Sequence, residues 1–302
     1  MSRRAWGAVG LAVLVAVNGL VVLDLLGDRA AARPDATAPV PSPSSVSTPV
    51  LPDAADAAGG VSEPTGATSA ARQLVAVGDG IAWRATLAEC GRGRSVVERT
   101  ADGGASWAVV TPDVSTVVRL RATGANEAFV VGAQVDCATA LATTASAGSD
   151  WRLADASLST AWYLAPTDRS LVVGPDGAVP VPCPTGAVDL AAAGTDEAAV
   201  LCRDGSLALT RDAAVEWSPV QPDLQALAVA DSAGGYVLAG RAQGCDGVAV
   251  VALDEDASGS GSPLACAPIT PEPGLAVAVA GEEIWVWTAL GTAVSTDGGA
   301  TW

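Results

Sequence analysis

The sequence predicts an all-β chain, most simply a six-bladed β-propeller, carried behind an apolar N-terminal segment and a low-complexity stretch. Three observations predict it. Beyond Ala71, short apolar runs separated by Gly, Asp, Asn and Pro recur to the last residue, and no amphipathic helical stripe persists; this is how strands joined by turns read in sequence. A hairpin of two apolar strands around a small polar turn repeats six times at blade-like intervals. An eight-residue turn, Thr100 to Trp107, returns almost unchanged as Ser295 to Trp302.

The six hairpins run from Gln73 to Leu87, Val118 to Val135, Ala161 to Gly174, Val188 to Leu201, Leu224 to Ala239 and Leu275 to Ala289. Their matching leucines Leu74, Leu120, Leu164, Leu190, Leu227 and Leu275 stand 46, 44, 26, 37 and 48 residues apart. With roughly 230 residues to divide, each unit receives about 38, close to the span of a four-stranded blade. The short third interval sets that unit apart. Trp162 to Pro182 holds barely three strands, so an irregular blade, or a count of seven, stays open. The last residue, Trp302, closes a turn before any fourth strand can follow, which leaves the residues just before Gln73 to supply an outer strand.

Thr100-Ala101-Asp102-Gly103-Gly104-Ala105-Ser106-Trp107 and Ser295-Thr296-Asp297-Gly298-Gly299-Ala300-Thr301-Trp302 resemble the Asp-box, or BNR repeat, Ser/Thr-x-Asp-x-Gly-x-Thr/Ser-Trp. Both copies match at every constrained position: Thr100, Asp102, Gly104, Ser106 and Trp107 in one, Ser295, Asp297, Gly299, Thr301 and Trp302 in the other. Degenerate copies lie at Thr144 to Trp151, with Ser146 in the Asp place, and at Thr210 to Trp217, where Asp212 and Trp217 are kept and Ala214 replaces the second glycine. A nearly erased fifth copy falls at Leu253 to Ser260. The chemistry of such a box is local, because the carboxylate accepts turn amides, glycine permits positive φ and the indole packs between sheets. The resemblance implies a box between the third and fourth strands of a blade, away from the ligand face.

The N-terminus predicts a membrane anchor. Arg3 and Arg4 precede an apolar run, Trp6 to Leu26, broken only by Asn18 and Asp24. Its 21 positions would reach about 31 Å as a helix, enough for the hydrocarbon core, and the arginines orient the rest outward. A cleaved signal peptide ending at Ala30 to Ala32 is the alternative, and no cysteine follows the run to carry a lipid. Residues 1–32 thus form the signal-anchor, 33–71 a Pro/Ser/Thr/Ala-rich flexible stalk, and 72–302 the propeller, held outside the cell membrane.

Composition removes much of enzymology. The 302 residues contain no histidine, so the usual general base, the commonest zinc ligand and the Ser/His/Asp arrangement are all missing. Half the residues are hydrophobic, ample for a core, and the formal net charge is −17 from 16 cations, all arginine, against 33 acids. Nucleic acid is therefore not an expected partner, since its binding starts from a basic face. No metal or cofactor site is expected either. The acidic loop Asp254-Glu255-Asp256 lacks EF-hand spacing, and Arg92 and Arg94 in a glycine loop read as exposed. Trp285 and Trp287 alternate on one strand and so share a face, as core between blades.

Sialidases are the best-known enzymes with Asp-boxes, but the resemblance stops at the repeats. Their Tyr/Phe-Arg-Ile-Pro motif is absent, the only tyrosines are Tyr163 and Tyr236, and no arginine triad can be placed. No catalytic residue is expected, and the favoured function is a non-catalytic extracytoplasmic binding or assembly scaffold that presents a propeller face to a protein or glycan. Asp-box propellers of the photosystem assembly-factor type are a precedent by resemblance. The alternative is a divergent glycoside hydrolase of exo-sialidase type.

Six cysteines without a CxxC pair favour disulfides in an oxidising compartment. Successive strands of a blade alternate in direction, so Cys90, Cys137, Cys202 and Cys245, each after a second strand, share one face with Cys266 at the end of a fourth. Cys245 with Cys266 and Cys183 with Cys202 are near neighbours, leaving Cys90 for Cys137. Of fifteen possible connectivities this sequential pairing is the expected one.

Overall fold

Strand ends fall where the apolar runs meet Gly, Asp or Pro. The computed structural model describes residues 71–154, 158, 161–233, 235–253 and 261–302, and these form 22 strands in six antiparallel sheets. The first sheet holds β1 (Arg72–Gly78), β2 (Ile81–Thr86), β3 (Val96–Thr100) and β4 (Ala108–Val110), and the second β5 (Thr116–Ala122), β6 (Ala128–Ala133), β7 (Thr139–Thr144) and β8 (Arg152–Leu153). The third has only β9 (Tyr163–Leu164), β10 (Leu171–Gly174) and β11 (Gly177–Pro180). The fourth comprises β12 (Ala187–Ala192), β13 (Ala198–Cys202), β14 (Leu207–Thr210) and β15 (Ser218–Val220). The fifth comprises β16 (Gln225–Ser232), β17 (Gly235–Arg241), β18 (Val248–Leu253) and β19 (Gly261–Ala267), and the sixth β20 (Ala276–Ala280), β21 (Glu283–Thr288) and β22 (Gly291–Ser295). Every sheet is a meander in chain order.

Six apolar clusters join these six sheets, each cluster shared by two successive sheets. Trp83, Val97, Leu120 and Val130 weld the first to the second, and Leu201, Leu207, Leu238 and Leu253 weld the fourth to the fifth. Leu74, Ala82, Ala276 and Trp285 close the sixth onto the first, where β1 lies beside β20. The ring therefore closes at six blades. Mid-blade strands are buried on both faces, which is why β13 reads as an unbroken apolar run, Ala-Ala-Val-Leu-Cys, rather than an alternation. Its alanines leave the narrow space that facing sheets need.

The third blade departs from the plan. Arg119 and Arg121 on β5 reach the carbonyls of Leu190 and Ala192 on β12, so those inner strands run in the same sense. In β9, by contrast, the indole of Trp162 at its start reaches Thr195 beyond the far end of β12, while Arg169, after its end, reaches Val188 near the beginning of β12. β9 thus runs opposite to the inner strands β5 and β12 of the neighbouring blades. The expected hairpin Ala161 to Gly174 is a blade's second and third strands, not its first and second, and among the described residues this blade has no strand in the innermost place. One further expectation is corrected. The partner of Leu120 and Leu190 in the fifth blade is Val229, not Leu227, because all three inner strands carry the same bulge, at Val117/Arg119, Ala187/Asp189 and Ala226/Ala228, and each of these residues directly follows it. Ala71 and Arg72 extend the inner strand β1, with Ala71 accepting from Leu87 at 2.8 Å; the residues before them, where an outer strand for the sixth blade is expected, lie outside the described residues.

The anchor and stalk, and the expected sites at Asp254 to Ser260, lie outside the described residues. No helix among the described residues is long and apolar enough to cross a membrane.

Candidate binding face

The two complete eight-residue turns fold identically. In the first, the Thr100 hydroxyl donates to Asp102 Oδ1 at 2.7 Å and accepts from the Gly104 amide at 3.1 Å. Asp102 also accepts from the Ser106 amide at 2.9 Å and the Ser106 hydroxyl at 2.5 Å. Ser295, Asp297, Gly299 and Thr301 repeat the set at 2.8, 2.8, 2.8 and 2.6 Å. Donation by the Ser106 and Thr301 hydroxyls, reinforced by their amides, holds each carboxyl at about 2. At the degenerate copies Asp212 keeps Thr210 and the Glu216 amide but has no hydroxyl partner at position 216, and Ser146 accepts from the Asp150 amide at 3.0 Å in place of a carboxylate. The backbone is unchanged even where glycine is lost: Ala213 and Ala214 sit at φ 59° and 74°, where the complete turn has Gly103 and Gly104 at 72° and 87°.

Each turn's tryptophan packs on the preceding blade. Trp107 meets Trp285, Trp151 meets Trp83 and Trp217 meets Trp162, all edge to face at 6.2 to 6.3 Å, an arrangement the ring quadrupole favours. Trp302 packs into the cluster between the fifth and sixth blades. A Cβ on Gly104 would meet Trp285 at 3.1 Å, so this glycine also gives the indole its seat. These turns all lie at one mouth of the ring.

The opposite mouth carries the cysteines. Cys90–Cys137, Cys183–Cys202 and Cys245–Cys266 are disulfides, with Cα separations of 5.7, 5.3 and 5.7 Å. The sequential pairing expected from strand direction is the one observed. Cys90–Cys137 ties the loops of the first two blades, and Cys183–Cys202 pins the third blade's exit to the fourth blade.

Between these loops opens a cleft of about 1040 Å³. Five arginines line it, Arg72, Arg92, Arg94, Arg169 and Arg203, together with Glu89 and Asp189. Composition flagged only Arg92 and Arg94; the other three are scattered through the chain and become neighbours only when the ring closes. Arg72 is paired with Glu272 at 3.3 Å and Arg92 with Glu89 at 3.1 Å. Arg169 and Arg203 reach only the carbonyls of Val188 and Thr185, each at 3.3 Å. Arg94 has no ion pair or hydrogen bond among the described residues. Burial pulls the Arg169 guanidinium down, an effect that nearby Asp189 and Glu89 oppose.

Asp189 forms the floor, where the cleft meets the central channel. Its carboxylate accepts from the Leu190 amide at 2.8 Å and the Val229 amide at 3.1 Å, while burial pushes its pKa up to about 6 against those amides, Arg119 and Arg169. Deeper in, Gln73 accepts from the Leu120 amide at 2.6 Å, and Asp231 pairs with Arg121 at 2.5 Å and Arg119 at 3.7 Å. Inner-strand side chains therefore satisfy the backbone groups that face the channel. Among the described residues no three Cys, Asp or Glu side chains gather as metal ligands.

No protein-family profile and no curated protein matches the chain. Solved structures resemble it in outline. YCF48 bound to D1 peptide is 16% identical over 78% of this chain and 81% of its own, with a TM-score of 0.40. The fucose-specific lectin of Aleuria aurantia in complex with Fucα1-6GlcNAc is 10% identical over 78% and 98%, with a TM-score of 0.41. AofleA from Arthrobotrys oligospora is 8% identical over 76% and 83%, with a TM-score of 0.43.

Proposed function

We propose that this chain is an extracytoplasmic binding or assembly scaffold, anchored through residues 1–32, that presents its disulfide-bearing face to a protein or glycan partner. One observation carries the reading: an arginine-lined cleft of about 1040 Å³ opens among the disulfide-tied loops and lies opposite the Asp-turn mouth. Three disulfides suit an oxidising compartment and pre-organise the loops, which lowers the cost of ordering a binding surface. We read the four turns as Asp-boxes that staple blades, with Asp102 and Asp297 spent on their own turns. The test is a pull-down from membranes with the full chain and with an Arg92→Glu/Arg94→Glu variant. A partner retained by the first and lost by the second supports the reading; equal retention by both places the binding surface elsewhere.

A hydrolase is the second reading, favoured by one observation: Asp189 has a raised pKa and shares the cleft with a second carboxylate, Glu89. Two backbone amides already occupy the Asp189 oxygens, which argues against a free acid catalyst. Turnover of fluorogenic glycosides that Asp189→Asn abolishes would replace the binding reading.

A further inference from the structure

We propose that the cleft binds an extended acidic peptide segment through Arg94, Arg169 and Arg203. This rests on the binding-face reading above and names its ligand class. The chain carries 33 acids against 16 arginines, so an arginine in it has carboxylates in excess to pair with. Three arginines converge on one cleft, from the first, third and fourth blades, without a carboxylate within 4.0 Å among the described residues. Their neighbours in the same cleft, Arg72 and Arg92, do have one. Guanidinium groups left without a carboxylate in a concave site keep forked donors for one arriving from elsewhere, and the single carbonyl contacts of Arg169 and Arg203 leave further N–H groups to donate.

The rest of the molecule selects the shape of that ligand. A body of net charge −17 repels a broad acidic surface, so an acidic occupant has to be slender enough to enter the cleft, where the low-dielectric walls concentrate the local positive field. The lining decides between peptide and sugar. Among the described residues it contains no Trp, Tyr or Phe on which a pyranose ring could stack, whereas Leu87, Val188, Leu227 and Leu275 offer apolar contact to aliphatic side chains between the acids. Two disulfides position the arginines: Arg92 and Arg94 follow Cys90, and Arg203 follows Cys202.

Fluorescence anisotropy of the full oxidised chain in detergent, with a labelled ten-residue peptide alternating Glu and Leu, its Gln/Leu counterpart and an oligosialic acid, tests this. The expected result is saturable binding of the Glu/Leu peptide, weakened as salt rises, and at least about tenfold weaker in the Arg94→Gln/Arg169→Gln/Arg203→Gln variant. Arg152→Gln, an exposed site on the second blade, should leave it unchanged. Arg94→Gln alone, at an exposed side chain, should weaken binding several-fold with the melting temperature intact, which keeps the test valid if the triple variant unfolds. Equal binding of the Gln/Leu peptide, or equal affinity in the Arg94 and triple variants, overturns the proposal. Preference for oligosialic acid that the variants lose overturns the peptide assignment while leaving the binding face in place. Absence of binding by every probe overturns the proposal, and the pull-down above then decides the binding face on its own.

Discussion

Two junctions of the ring face the same task and meet it differently. Where the sixth blade closes on the first, two full inner strands lie side by side and side chains stack across them. Trp107 meets Trp285, and Arg84 sits 4.0 Å from the Trp107 ring and 4.8 Å from the Trp287 ring while pairing with Glu98 at 2.7 Å. Where the second blade should meet the third, the described residues supply no inner strand, and Arg119 and Arg121 cross the gap to carbonyls of the fourth blade. The first junction is held by apolar and cation–π contact; the second adds, to a small apolar cluster of Val131, Leu141, Ala161 and Tyr163, the buried charge of Arg119 standing in for backbone. Buried charge fails differently: when one partner is removed, the other is left desolvated and unpaired.

The largest expected effect is at the closing seam. Trp285→Ala empties a fully buried indole site and should cost about 3–5 kcal/mol in denaturant-induced unfolding. At the gap, Arg119→Met should cost about 3 kcal/mol, because it strands the Leu190 carbonyl and weakens the Asp231 pairing. A loss under about 1 kcal/mol would mean that the arginine bridge does not hold the gap.

The same contrast predicts opposite pH limbs. Both seam blades carry a complete Asp turn, and the carboxyls of Asp102 and Asp297 are held at about 2. Their contribution is present above the ordinary carboxylate value, about 3.9, and is lost as pH falls from there toward 2. Asp189 beside the gap is pushed up to about 6, so between about 4 and 6 the unfolded chain releases its proton first and stability declines as pH rises. Thermal melts across pH 2 to 7 should show both limbs. Asp189→Asn should flatten the upper limb and leave the acid limb unchanged, whereas Asp102→Asn/Asp297→Asn should do the reverse.

The smallest effect tests the degenerate turn of the fourth blade, which borders the gap. Ala213 holds a φ of 59° that an L side chain adopts reluctantly, so Ala213→Gly should stabilise by about 0.5–1 kcal/mol. Gly103→Ala in the complete turn of the first blade, at φ 72° with open space around its Cβ, should lose a similar amount.

What could be read from the chain alone was whatever is encoded locally. Strand–turn alternation, the hairpin period, the Asp turns and the cysteine pairing each depend on residues close in sequence or on strand direction, and each sheet is a meander, so chain order and spatial order coincide. The cramped third unit was visible in its spacing. Its reversed strand was not, because a two-residue strand such as Tyr163–Leu164 has no periodicity from which to read a direction. The Val229 register was hidden for a related reason: the bulge that β16 shares with β5 and β12 sets the alignment and places Val229, not Leu227, level with Leu120 and Leu190, and a bulge leaves no mark in composition. Closure of the ring decided the rest. It brought Arg169 and Arg203 to face Arg94, and Arg119 to the carbonyl of Leu190, 71 residues away. An isolated arginine in a strand or loop looks the same in sequence whether it faces solvent, a channel or a ligand, since its partners are set by how six sheets share one axis.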